Sequence, residues 1–143
     1  MTEHSPILAP IVAMVAWSLV MWAWMYATRI PAMNAAKIDT MNLVGGSGAD
    51  LKKAIPPQAQ WPADNYNHLM EQPTLFYAIA LVLAMLGMGG GLNLTIAWAY
   101  VALRIAHSIV QATFNRVIIR FAIFSLSTLC LIALTLHAAM RIF

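Results

Sequence analysis

The chain has 143 residues, 62% of them hydrophobic and only 9% charged, with 8 Lys+Arg against 5 Asp+Glu. An ordinary soluble domain has about a quarter of its residues charged, so a fold of this composition cannot cover its surface in water. The length fits a single domain, residues 1–143, and leaves no room for a catalytic domain beside a membrane anchor. Any chemistry therefore sits in or against the bilayer part.

Residues 6–28 carry no charge and are long enough to cross a hydrocarbon core as a helix. Only Glu3 is charged ahead of this run, whereas a signal peptide opens on a basic segment, so the span is expected to be retained. A polar loop follows over 29–63, with Arg29, Lys37, Asp39, Asp50, Lys52 and Lys53 among Gly and Pro breakers, and a short amphipathic helix is expected at 34–43. The second span, 64–87, begins with polar residues and contains Pro73, where a kink is expected. The uncharged run Gly87-Met88-Gly89-Gly90-Gly91 reads as a tight turn. Spans three and four fall at 92–115 and 120–140. The fold class is thus all-α, an integral membrane four-helix bundle. Lys and Arg gather in the first loop and at the junction of spans three and four, which places those segments in the cytoplasm and both termini on the opposite side. Cys130 lies alone in an apolar run and forms no internal disulfide.

Span three carries Arg104, His107, Ser108, Gln111 and Asn115 at offsets 0, 3, 4, 7 and 11. At 3.6 residues per turn these form one stripe within about 100°, which should face protein and not lipid. A charge in mid-membrane needs a partner, and Glu71 is the acidic candidate for Arg104. On span two Asp64, Asn67, Glu71 and Thr74 share a face, with His68 at its edge. Two readings are compatible. Glu71 and Arg104 form a structural ion pair that fixes helix packing, or the two stripes line a polar cavity, open to the cytoplasm, for a charged, water-soluble ligand. Arg116 and Arg120, spaced i, i+4, are placed on one face; they are either interfacial anchors for lipid phosphates or a cationic site for carboxylates or a thiolate. The histidines lack paired ligand spacing and Cys130 has no Cys or His beside it, so no metal site is expected.

The second-span segment Asn67-His68-Leu69-Met70-Glu71-Gln72-Pro73-Thr74 and the third-span pattern of Arg104, His107, Ser108, Gln111, Arg116 and Arg120 resemble the MAPEG family. These are membrane-associated proteins of eicosanoid and glutathione metabolism, and the third-span spacing is most similar to the microsomal prostaglandin E synthase branch. The resemblance implies a homotrimer that binds glutathione at subunit interfaces facing the cytoplasm and receives a lipophilic substrate from the bilayer lipid, with no nucleic-acid partner. It implies that Arg29, Glu71, Arg104, His107, Ser108, Gln111 and Arg116 bind glutathione, and that Arg120 stabilises its thiolate. The activity implied is glutathione transfer to lipophilic electrophiles, or reduction of hydroperoxides. The chain departs from the family pattern at Asp64, His68 and Gln111, where Arg, Asn and Tyr are expected. Those departures motivate an alternative, a non-catalytic scaffold or partner subunit that keeps the fold.

Overall fold

The computed structural model describes residues 4–143. Helix α1 runs over Leu8–Ala35, a 28-residue rod that passes through Pro31. At 1.5 Å per residue it is about 42 Å long and projects beyond the hydrocarbon core. It ends where Lys37 adopts a positive φ of 54°, so the separate helix expected at 34–43 does not form. The following segment contains only a short 3₁₀ turn, Asp50–Lys53.

Helix α2 covers Pro57–Leu69 and α3 covers Pro73–Met85. Proline is favoured at a first helical position, where its missing N–H costs nothing, and both helices use it so. Together they make the second span, interrupted at residues 70–72. Here the expected kink is a full break. Pro73 has no N–H to continue the ladder, and tighter bonds from Met70 N to Asn67 O and from Glu71 N to His68 O close the end of α2.

Helix α4 spans Gly91–Ala112 and α5 spans Val117–Ile142. The turn before α4 is a helix stop: Gly87 takes a φ of 69°, and Met88 N reaches back to Leu83 O at 2.9 Å. Asn115 takes a φ of 50° in the α4–α5 connection, a left-handed conformation that Asn tolerates better than most residues. Span three therefore stops three residues short of the expected 115, and α5 starts earlier than the expected 120.

Four helical segments are long and apolar enough to cross a membrane, with no strand among the described residues. The bundle packs α4 along α5 and α1 along α2. Its core joins Met14, Met21, Phe76, Leu83, Tyr100 and Leu134, all fully buried. Phe76 and Tyr100 stack with ring centroids 4.4 Å apart. Val12, Leu19, Leu75, Leu129 and Leu136 point outward, as a bilayer solvent allows. Lipid tails are as apolar as leucine, so the packing and the polar contacts described next must hold the helices together.

Candidate functional site

The polar stripe of α4 faces protein. Arg104 and Ser108 are fully buried, and His107 and Gln111 nearly so. Arg104 Nε donates to the Tyr100 hydroxyl at 3.2 Å and Nη1 to His68 Nε2 at 3.3 Å, while Nη2 donates to Gln72 Oε1. Its guanidinium also lies 4.8 Å from the Phe124 ring centroid. Gln72 Nε2 in turn donates to Thr128 Oγ1 at 3.0 Å. Arg104 thus ties the α2–α3 break to α4 and α5.

The expected Glu71–Arg104 ion pair is absent. The break at 70–72 changes the helical phase, so Gln72 turns inward to the guanidinium and Glu71 turns out. Glu71 instead accepts from His68 Nδ1 through Oε2 at 3.0 Å. The inward polar residues of the second span are Asn65, His68 and Gln72. Asn67, Glu71 and Thr74, expected on the working face, are exposed in the single chain, and Asp64 pairs with Lys52 at 3.2 Å.

Beside this network, the end of α2, the last turns of α4 and the start of α5 enclose a recess of about 250 Å³. His68, His107, Gln111 and Arg120 supply its polar wall, and Val117, Phe121 and Phe124 its apolar wall. The two imidazoles lie with centroids 5.0 Å apart. Gln111 Oε1 accepts from the buried Asn65 amide at 2.9 Å, so its own amide N–H groups remain for a ligand. Arg120 Nη1 donates to Asn115 Oδ1 at 2.5 Å, whereas Arg120 Nε is buried without a partner. His107 Nδ1 and Ser108 Oγ are likewise buried and unpaired. No carboxylate lines the recess among the described residues.

Of the residues singled out in the sequence, Arg120, His107 and Gln111 meet in the recess with His68, while Ser108 and Arg104 are fully buried and do not line it. Arg116 does not join them. It stands at the N-cap position of α5 without a side-chain capping bond and is exposed, whereas Arg120, whose backbone N–H bonds to Arg116 O at 3.1 Å, is half-buried. Arg29 lies in a separate cavity of about 490 Å³ under the first loop, donating to Gln60 Oε1 at 3.3 Å. Sequence reasoning missed Tyr100, Gln72, Asn65 and Phe124. Tyr100 stands four residues before Arg104 on one helix, a spacing the sequence carries, whereas the roles of Gln72, Asn65 and Phe124 depend on contacts between elements.

These features define an integral, multi-pass, all-helical membrane protein with a cationic recess walled partly by lipid-compatible side chains. The model of the MAPEG family matches residues 7–140, nearly the whole chain, and the protein belongs to that family. Searches of curated proteins and of solved structures find no match. Membership supports, in general terms, a glutathione-related transferase, peroxidase or related membrane function.

Proposed function

We propose that the chain is a membrane-embedded glutathione-dependent transferase or peroxidase-like protein for lipophilic electrophiles or hydroperoxides, working as a homotrimer with its recess toward the cytoplasm. The observation that carries this is Arg120: a guanidinium in the wall of a recess, with a buried, unpartnered Nε and, among the described residues, no carboxylate in the lining. Such a site attracts an anion, and a low local dielectric strengthens that attraction.

The residues fit glutathione, a peptide with two carboxylates, an ammonium group and a thiol. Arg120 suits the sulfur as thiolate, the Gln111 amide and His107 offer neutral hydrogen bonds, and Glu71 beside His68 suits the ammonium. The recess in one chain lacks cations for both carboxylates, and Arg29 and Arg116 lie outside it; a homotrimer leaves them for the glutathione of a neighbouring protomer. When bound, glutathione supplies a nucleophilic sulfur toward an electrophilic carbon or a peroxide oxygen. The protein's part is electrostatic. A hundredfold shift of thiol ionisation toward the thiolate corresponds to about 2.7 kcal/mol, within the reach of one well-placed guanidinium. Val117, Phe121 and Phe124 make the remaining wall apolar, which lets a lipophile approach from the bilayer.

The test is turnover of a chlorinated nitrobenzene and of a lipid hydroperoxide by the purified protein with glutathione. Rates above detergent blanks that fall in Arg120→Ala support the proposal. No turnover, together with impaired assembly in Glu71→Ala and no effect of Arg120→Ala, supports the scaffold alternative that the departures at Asp64, His68 and Gln111 motivate.

A further inference from the structure

Arg104 is a buried cation whose contacts are all uncharged. The Tyr100 hydroxyl, the Gln72 side-chain carbonyl and His68 Nε2 surround its guanidinium. A guanidinium has N–H donors and no acceptor, so the imidazole nitrogen facing it has to present a lone pair. The proton of His68 therefore lies on Nδ1, where Glu71 Oε2 stands 3.0 Å away. Two independent contacts, one on each ring nitrogen, select the same tautomer.

The surroundings reinforce that choice. Around His68 stand Arg104 and His107 from α4, Phe124 and the recess-lining Arg120 from α5, and Glu71 from the break that follows α2. A second proton on Nε2 would point at Arg104, with Arg120 across the recess, so the ring is held neutral with both nitrogens occupied. What His68 turns toward the recess is ring surface, and its hydrogen-bonding capacity is spent on holding other groups.

The group so held is Glu71. Its side chain is 69% exposed, and a free glutamate there would lose considerable rotamer entropy on fixing a ligand. The Nδ1–H bond fixes Oε2 and leaves Oε1 open. Thr74 Oγ1 donates to the Glu71 carbonyl at 2.7 Å and steadies the backbone at the break. A carboxylate beside a recess whose wall is cationic makes a dipolar site. An anionic group settles toward Arg120 and a cationic group toward Glu71.

We propose that His68 is a positioning residue, whose Nδ1–H holds Glu71 and so makes the site select a thiol bearing an ammonium group over the same thiol without one. This rests on the glutathione reading above, and it adds the residue that sets the selectivity and the tautomer in which it works.

The experiment compares KM for glutathione and for its des-amino analogue in the wild type, His68→Asn and His68→Gln. In parallel, the protein carrying nitrogen-15 histidine is examined by NMR in micelles. Asn places an amide donor where Nδ1–H stands, and Gln places a carbonyl acceptor where Nε2 stands. The wild type should favour glutathione by about fivefold, the size of a well-held exposed ion pair. His68→Asn should keep most of that preference. His68→Gln should lose it, with KM for glutathione rising to that of the analogue while kcat stays close to the wild type. The spectrum should show His68 with a protonated Nδ1 and a pyridine-like Nε2. A preference retained in His68→Gln, equal losses for both thiols in both variants, or a protonated Nε2 would overturn the inference while the glutathione reading stands. Failure of the wild type to bind either thiol would overturn both, and the NMR tautomer would then establish only a packing contact.

Discussion

Replacing Arg120 by Gln removes a positive charge from the recess and keeps a polar side chain of similar reach. A guanidinium about 4 Å from a sulfur anion contributes about 4 kcal/mol at an effective dielectric of 20, less whatever open solvent screens. Arg120 is half-buried and the recess is not closed, so the smaller figure of about 2.7 kcal/mol, a hundredfold in ionisation, is the working magnitude. A thiol with a reference pKa near 8.5 is about 3% ionised at pH 7, and a hundredfold shift raises this to about three-quarters. Arg120→Gln should therefore lower kcat/KM for glutathione about 25-fold at pH 7. An opposite charge lowers the thiol pKa, so the fold advantage is largest below the shifted value, narrows between the two and vanishes above the ordinary one. At about pH 9.5 both proteins hold mostly thiolate and their rates should converge. Steady-state conjugation kinetics from pH 6 to pH 10, with thiolate absorbance followed on the same samples, make the comparison. A deficit of constant size at every pH, or none at pH 7, would refute the claim that Arg120 acts on thiol ionisation.

Gln72→Leu should destabilise the bundle by about 2–3 kcal/mol, because it strips Arg104 and Thr128 of a buried partner; unfolding in mixed micelles measures it, and a loss below 0.5 kcal/mol would contradict the network. Gly89→Ala should cost about 1–3 kcal/mol in the same assay, since an added Cβ would lie 1.9 Å from Ser5 Oγ and 2.8 Å from Ile7 Cγ2. Outside the membrane, hydrogen bonds from the Asn42 side chain and backbone hold the Asp39 carboxyl below its ordinary range. The loop order they give is present above the ordinary carboxylate pKa and lost as pH falls through the lowered one. Asn42→Ala should move Asp39 back upward in an NMR titration, and an unchanged titration would contradict the assignment.

The spans were legible because apolar runs of bilayer length with so few charges have few alternatives, and because Gly87 to Gly91 marks its own turn. The α4 stripe was legible too, since Arg104, His107, Ser108 and Gln111 repeat at helical spacing on an uninterrupted helix. The second span misled for the converse reason. A continuous helix through Pro73 puts Glu71 on the inner face, but the break at 70–72 exchanges it for Gln72, and a one-residue change of phase turns an ion pair into a neutral network. Arg116 was misplaced similarly. Asn115 in a left-handed turn ends span three before Arg116, so both arginines belong to the start of α5 and not to the end of the third span, and Asn is a weaker stop signal than Gly. Tyr100 and Phe124 read as ordinary core aromatics; the contact of Tyr100 with the guanidinium is one turn along α4, and that of Phe124 depends on α5 packing against α4.

The most direct test is a density map of the purified protein in lipid nanodiscs with glutathione present. The account predicts density in the recess among His68, His107, Gln111 and Phe124, with the sulfur within about 4–6 Å of the Arg120 guanidinium, the range over which an opposite charge favours the thiolate. Glutathione density elsewhere, or an empty recess with Arg120 turned to lipid headgroups at saturating glutathione, would contradict it.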